Sequence, residues 1–293
     1  MRAYREKAPN KGYNARSLKK RLVLTSKEVA QFQEKVYCHY KQGGRVLPWR
    51  KTRDPYKILV SEIMLQQTQV ARVIQKYEQF VGAFPNIESV ARAPLRDIMK
   101  VWHGLGYNRR ALALKKLATT VVDQYDGKIP SSVESLRSLP GIGPCTAHAI
   151  CTFAFNQPTV FIETNIRTVF IHHFFENSDN VKDAEILPLI ADTLHTRSPR
   201  IWYFALMDYG ASLKDDHANP SRRSAHYKKQ TPFEGSDRQI RGMILRALVS
   251  KRRMSEPALF RELSFDKERV KRNLRQLDKE GFIIRTGKYL SIK

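Results

Sequence analysis

The stretch Leu139-Pro-Gly-Ile-Gly-Pro-Cys-Thr-Ala-His-Ala-Ile150, with Ile162-Glu-Thr-Asn-Ile-Arg167 soon after it, constrains this chain more than any other. Two glycines one residue apart follow Ser138-Leu139-Pro140, and an alanine-rich helical pattern starts directly behind them. Glycine permits positive φ and close backbone approach. The turn therefore predicts outward-facing N–H groups at Gly141 and Gly143 beside a helix start, an arrangement suited to a phosphate. The second stretch adds a carboxylate, Glu163, and an amide, Asn165, so that phosphate holding and acid chemistry become neighbours. A plain helix–turn–helix corner with a surface glutamate has the same spacing, and the rest of the chain has to separate the two readings.

Charge is the first discriminator. The 293 residues carry 52 Lys/Arg against 28 Asp/Glu, a formal net charge of +24. Such a balance favours a polyanionic partner, nucleic acid ahead of an anionic membrane. The excess is concentrated at the ends: residues 1–25 hold eight Lys/Arg and one acid, and residues 214–293 hold 21 and 10. The middle reads as a folded body. At 42% apolar residues the chain has enough material for a core. No run of 18 apolar residues occurs, and the start of the chain lacks an apolar leader segment, so membrane insertion and secretion are not expected. Cys38, Cys145 and Cys151 form neither a paired framework nor a CxxC, which fits a reducing compartment.

Read in order, residues 1–25 form a basic arm without periodicity. Ser26-Lys-Glu reads as the start of a helix that Gly43-Gly44 stops. Asp54-Pro55 opens a helix expected to run through Val70, with Glu62 in its largely apolar length and Gln66 and Gln69 on the same side. A carboxylate there is desolvated, its pKa rises, and it suits a general acid near neutral pH; a solvent-facing glutamate is the alternative. Helices are expected over residues 87–102, from a basic Arg109-Arg110 onward, and through the remainder of the middle to Gly210, with hardly any strand pattern. Residues 214–235 are polar and basic and read as a loop. From residue 236 three helices and two strands around Thr286-Gly287 describe a winged helix–turn–helix, with Lys271 and Arg272 among the basic residues that favour DNA; a domain used only for protein contact has the same outline.

Residues 47–213 resemble the helix–hairpin–helix (HhH-GPD) DNA glycosylase superfamily, most closely its MutY-type adenine-specific branch. The motifs that carry the resemblance are Leu47-Pro-Trp-Arg50, Pro55-Tyr56, Ser61-Glu-Ile-Met-Leu-Gln-Gln-Thr-Gln-Val70, Gly104-Leu-Gly-Tyr107, Leu139-Pro-Gly-Ile-Gly143 with Thr146-Ala147, and Met207-Asp208 before Gly210-Ala211. It implies a mostly α fold of two helical subdomains over residues 26–213; the residue pattern itself adds a basic loop over 214–235 and a winged-helix DNA-binding domain over 236–293. It implies that Glu62 protonates the leaving base, that Glu163 and Asn165 complete the catalytic set, and that Gln66, Gln67, Tyr107, Leu139, Gly141 and Gly143 meet the DNA. A monovalent cation at the hairpin is part of the same expectation. The implied activity is monofunctional excision of a flipped base, with adenine opposite guanine or 8-oxoguanine first and thymine or uracil opposite guanine as the alternative. A weakly catalytic lesion-binding protein is the alternative from another class. The expected partner is double-stranded DNA with a mismatch or damaged base, the expected state a monomer, and the expected place the cytoplasm, on the nucleoid.

The chain departs from the family pattern at several positions. Glu163 stands where the family has aspartate. Cys145 stands where lyases of the superfamily carry lysine, which argues against Schiff-base chemistry and suggests a buried pocket-wall thiol. The four-cysteine iron–sulfur loop is missing, so no cluster is expected, and Arg222 and Arg223 in its place are candidates for phosphate contact. A winged-helix pattern stands where the family usually carries a Nudix-like domain, and Asn108 replaces a second tyrosine.

Overall fold

The computed structural model describes residues 23–216 and 219–293, so nearly all of the expected basic arm lies outside the described residues. Helix α1 (Ser26–Gly43) is capped by Thr25, one position before the expected start. The Thr25 hydroxyl accepts from Glu28 N–H, and the Glu28 carboxylate accepts from Thr25 N–H at 2.7 Å, a reciprocal capping box. Asp54 caps α2 (Pro55–Leu65), accepting from Tyr56 N–H at 2.9 Å, with Pro55 in the first helical position.

The helix expected through Val70 stops at Leu65. Gln67 turns the chain with φ of 54°, and α3 (Val70–Ala83) begins on a new axis. Gln66 and Gln69 therefore do not continue the Glu62 face. The single helix expected over 87–102 is likewise two, α4 (Ile87–Arg92) and α5 (Leu95–Trp102), parted at Ala93-Pro94; proline drives its predecessor out of the helical region. The body continues with α6 (Arg109–Tyr125), α7 (Val133–Ser138), α8 (Pro144–Phe155), α9 (Thr164–Phe174), α10 (Asp183–Thr193) and α11 (Pro199–Asp216). Helix α11 carries Lys214 with it, three residues beyond the expected boundary at 213. Among the described residues no helix is long and apolar enough to cross a membrane.

These helices bury two clusters. One gathers Leu59, Ile63, Val73, Phe80, Trp102, Leu114 and Ile150 from α2–α8. The other joins α1 to α9–α11 through Phe32, Phe170, Trp202 and Tyr203, and takes Ile58 from α2 and Phe153 from α8. Helices α2 and α8 thus serve both lobes, and the seam between the lobes runs along them. The tightest helix pairing of the second lobe is α9 on α11. A Cβ at Gly210 would lie 2.1 Å from Asn165 O, so only glycine allows that approach.

The C-terminal residues fold as α12 (Asp237–Lys251), β1 (Arg253–Ser255), α13 (Glu256–Leu263), α14 (Lys267–Glu280), β2 (Ile283–Thr286) and β3 (Tyr289–Ile292). The sheet order is β1-β3-β2, all antiparallel, with Met254 opposite Leu290 and Arg285 opposite Leu290 on the other side. Strand β1 is an addition to the expected pair; three residues are too few to show alternation, and it forms on the free edge of β3. Apolar side chains of this unit, including Ile244, Leu274 and Phe282, belong to the first lobe's cluster. Arg96 on α5 donates to Val249 O on α12 at 3.0 Å, and Glu280 accepts from both Arg109 and Arg241.

Candidate active site

Glu62 lies on α2, the helix shared by both lobes. It is partly exposed and makes no hydrogen bond to any described residue. Burial pushes its carboxyl up to about 8, the neighbouring Glu163 carboxylate adds to the rise, and the Arg50 guanidinium offsets part of it. At neutral pH the group is a carboxylic acid with a proton to give. Arg50 itself is fixed. It donates to both carboxylate oxygens of buried Asp208 at 2.7 Å, while Arg45 adds its own bonds to the same carboxylate. Burial alone would raise Asp208, but these arginines hold it below the ordinary carboxylate range. The Leu47–Arg50 and Met207–Asp208 motifs, far apart in sequence, are thus two halves of one ion pair.

Glu163 is the N-cap of α9. One oxygen accepts from Ile166 N–H at 2.8 Å and the other from Asn165 Nδ2 at 3.2 Å. The Asn165 carbonyl oxygen in turn accepts from Lys214 Nζ at 2.6 Å. A cation, an amide and a carboxylate form a chain that leaves Glu163 little freedom. Nothing in the sequence near Lys214 signals this role, because it depends on α11 returning beside α9. Cys145 is exposed, contrary to the buried wall expected, and its Sγ–H donates to Ile162 O at 3.3 Å. It stands on the first turn of α8. Desolvation and the Glu163 and Glu62 carboxylates push its thiol up to about 12, so it is not a thiolate nucleophile.

The hairpin joins α7 to α8. Leu139 is buried and anchors it, and Gly141 has φ of 82°. A Cβ at Gly141 would also lie 2.7 Å from Ala113 Cβ. Gly143 differs from the expectation: its φ is −87°, and a Cβ there would meet nothing within 4 Å. Its glycine is therefore not required by the chain's own packing. Gly141 and Gly143 are exposed, and their N–H groups bond to no described residue. Gln66 is tied to this turn, donating to Thr146 Oγ1 at 3.1 Å and to Gly141 O at 3.4 Å. Gln67 is exposed beside it.

Arg110, expected on a basic helix face, is buried. Its guanidinium donates to the carbonyls of Ile63, Met64 and Gln66, to Thr68 Oγ1, and to Gly106 O. It satisfies the orphan carbonyls at the end of α2 and locks the Gln66–Gln67 turn to the Gly104–Tyr107 turn. Desolvation lowers its pKa to about 10. Tyr107 has φ of 46°, and its hydroxyl accepts from Gln230 Nε2. The other expected contacts are not gathered at this site. Arg223 is turned inward onto the C-terminal carbonyls of α9, donating to Phe175 O and Ile171 O as well as Glu176 O, so it is not the free phosphate ligand expected. Arg222 is exposed. Lys271 pairs with Glu268 at 2.7 Å and Arg272 with Asp237 at 3.1 Å on the surface of α14. Among the described residues no trio of His, Cys, Asp or Glu is placed to hold a metal ion.

The HhH-GPD superfamily of base excision DNA repair proteins matches residues 60–188, which include Glu62, the hairpin and Glu163. The adenine DNA glycosylase of Buchnera aphidicola subsp. Baizongia pistaciae is 39% identical over 182 residues, 60% of this chain and 50% of that protein. The adenine DNA glycosylase of Mycobacterium tuberculosis strain H37Rv is 32% identical over 232 residues, 71% of this chain and 75% of that protein. The chain thus spans half the length of the first relative and three quarters of the second. Among solved structures, a thermostable thymine-DNA glycosylase aligns with a TM-score of 0.58 at 29% identity, over 63% of this chain and 87% of that one. A trapped endonuclease III–DNA covalent intermediate aligns at 0.55 over 72% and 92%, and at 18% identity it shares the fold alone. With the Glu62 helix, the glycine hairpin and the capped Glu163 helix inside one continuous match, the chain belongs to the HhH-GPD superfamily of base excision DNA repair proteins, on its MutY-like branch.

Proposed function

We propose that the protein is a monofunctional DNA glycosylase that hydrolyses the N-glycosidic bond of a mispaired adenine, opposite guanine or 8-oxoguanine. The observation that carries the reading is a protonated, partly accessible Glu62 beside a carboxylate whose position is fixed. Gly141 and Gly143 N–H hold a backbone phosphate, Leu139 braces the hairpin beneath them, and Gln66, Gln67 and Tyr107 meet the helix around the vacated position. The flipped base enters the seam. Glu62 gives its proton to the base as the C1′–N bond breaks, and the bonding electrons leave with the base. Glu163, oriented by Asn165, faces the oxocarbenium-like sugar and stabilises its positive charge. Water adds at C1′, and its proton passes to the carboxylate pair. Cys145 supplies no amine, so the abasic product is released without strand cleavage.

The hairpin carbonyls at 139 and 141 are oxygen donors of the kind a monovalent cation takes, and such an ion would add positive charge under the phosphate. Arg222 and the 236–293 unit, with Lys271 and Arg272 on α14, extend the contact to flanking duplex. The protein acts as a monomer on nucleoid DNA in the cytoplasm.

Similarity to a thymine-DNA glycosylase favours a second substrate, thymine or uracil opposite guanine. Single-turnover excision on duplexes carrying each mismatch, scored with and without alkali beside Glu62→Gln, tests both. Alkali-dependent cleavage at adenine that is lost in the variant supports the first reading, and cleavage only at thymine or uracil supports the second. Binding without cleavage of any duplex overturns both in favour of a lesion-binding protein.

A further inference from the structure

Between α5 and α12 lies a cleft of about 370 Å³, walled by Met99, Leu245 and Val249 and rimmed by Arg96, Lys100, His103 and Arg246. No lining residue is acidic. Lys100 and Arg246 are exposed and form no ion pair with any described carboxylate; of the 16 Lys/Arg of residues 236–293, six have one. Arg96 is the exception on the rim, with Asp97 at 3.8 Å. The positive field is felt locally: besides desolvation, Arg246 and Lys76 depress the charged form of His103.

Cations lining one cleft repel one another, and among the described residues only Asp97, against Arg96, offsets that repulsion. An anion in the cleft would relieve that repulsion. The cleft's position identifies which anion. His103 and Asn108, at the two ends of the turn that carries Tyr107, both line the cleft. The glycosylase reading sets Tyr107 against the duplex, and the cleft adjoins that contact at the next residue.

We propose that this cleft is a second seat for the DNA backbone, in which Lys100 and Arg246 grip flanking phosphodiesters of the duplex whose lesion lies at Glu62. The inference rests on the glycosylase reading. It gives the C-terminal unit a specific purpose: α12, rather than only the basic helix α14, faces the nucleic acid.

The test compares wild type with Lys100→Ala/Arg246→Ala and with Lys27→Ala/Lys41→Ala, which removes the same charge from α1. Affinity for a 30-base-pair mismatched duplex is measured from about 50 to 200 mM salt, together with a hydroxyl-radical footprint. Each phosphate contact contributes about 0.9 to the slope of log affinity against log salt. The cleft variant should flatten that slope by about 1.8 and lose protection on one flank of the lesion only. A slope and footprint matching those of the α1 variant would overturn the proposal, as would a loss spread evenly over both flanks. Failure of the wild type itself to bind or cleave any duplex would instead remove the glycosylase reading beneath it.

Discussion

Glu62 and Glu163 are two carboxylates in one neighbourhood, and the structure holds them by opposite means. Glu62 is desolvated and without a hydrogen bond, while Glu163 is gripped at both oxygens. A carboxyl raised by burial beside one held by hydrogen bonds assigns the acid and the stabilising anion. Single-turnover excision should accordingly be level below neutrality and fall tenfold per pH unit above about 8, as Glu62 loses its proton. Glu62→Gln should remove that limb together with at least ~100-fold of the rate. Stability follows the same proton over a lower pH range. The folded state keeps a proton that the unfolded chain loses above 4.5, so stability falls as pH rises from 4.5 to about 8. Chemical denaturation at pH 8 should find Glu62→Gln more stable by roughly 1–3 kcal/mol.

The Lys214–Asn165–Glu163 chain makes a separate claim at the same scale. Lys214→Met releases the amide and should lower the single-turnover rate at saturating DNA about tenfold through misplacement of Glu163. Lys214→Arg should recover much of it, and Lys214→Met should add little to Asn165→Ala. Full additivity of the two would show that Lys214 does not act through the amide. Glu163→Ala should also cost about 1 kcal/mol of stability through the lost cap. Glu163→Asp keeps a capping carboxylate, so any loss of its activity reports geometry rather than folding.

At the scale of elements, the hairpin separates two kinds of glycine. Gly141→Ala meets both a positive φ and the Ala113 side chain, and should destabilise the fold by about 1–3 kcal/mol in a melting experiment. Gly143→Ala meets open space at an ordinary φ, so its melting temperature should stay near wild type while DNA affinity drops. Equal affinity would mean that no backbone comes close there. The hairpin was legible because its signal is local, two glycines between a proline and a helix. So was the capped, largely apolar helix that carries Glu62. The break at Gln66 was not legible, because its cause is Arg110, 44 residues later, whose guanidinium takes the carbonyls that another turn of α2 would have used. A buried arginine and an exposed one look alike in sequence. Lys214 and the Arg50–Asp208 pair were hidden for the same reason: each partner arrives from another helix.

At the scale of the molecule, the C-terminal unit is an extension of the first lobe's core rather than a tethered module. Glu280 is the polar clasp of that union, taking Arg109 from the body and Arg241 from α12 at 2.5 and 2.6 Å. Burial alone would raise its pKa, but hydrogen bonds from Arg109, Gln276 and Arg241 hold it at about 2. Its folded pKa lies below the ordinary 4.5. The contribution is therefore complete above that value and fades as pH falls toward 2. Glu280→Gln keeps the shape and removes the charge, leaving Arg241 half-buried beside Arg109 without an anion. Because the arginines are partly solvated, the expected loss at pH 7 is modest, roughly 1 kcal/mol. It should appear as a lower denaturation midpoint that narrows toward wild type between pH 5 and the lowest pH at which the fold persists. A midpoint gap that stays constant with pH would mean that the clasp acts by packing alone, and that the two units are joined by their shared apolar core rather than by charge.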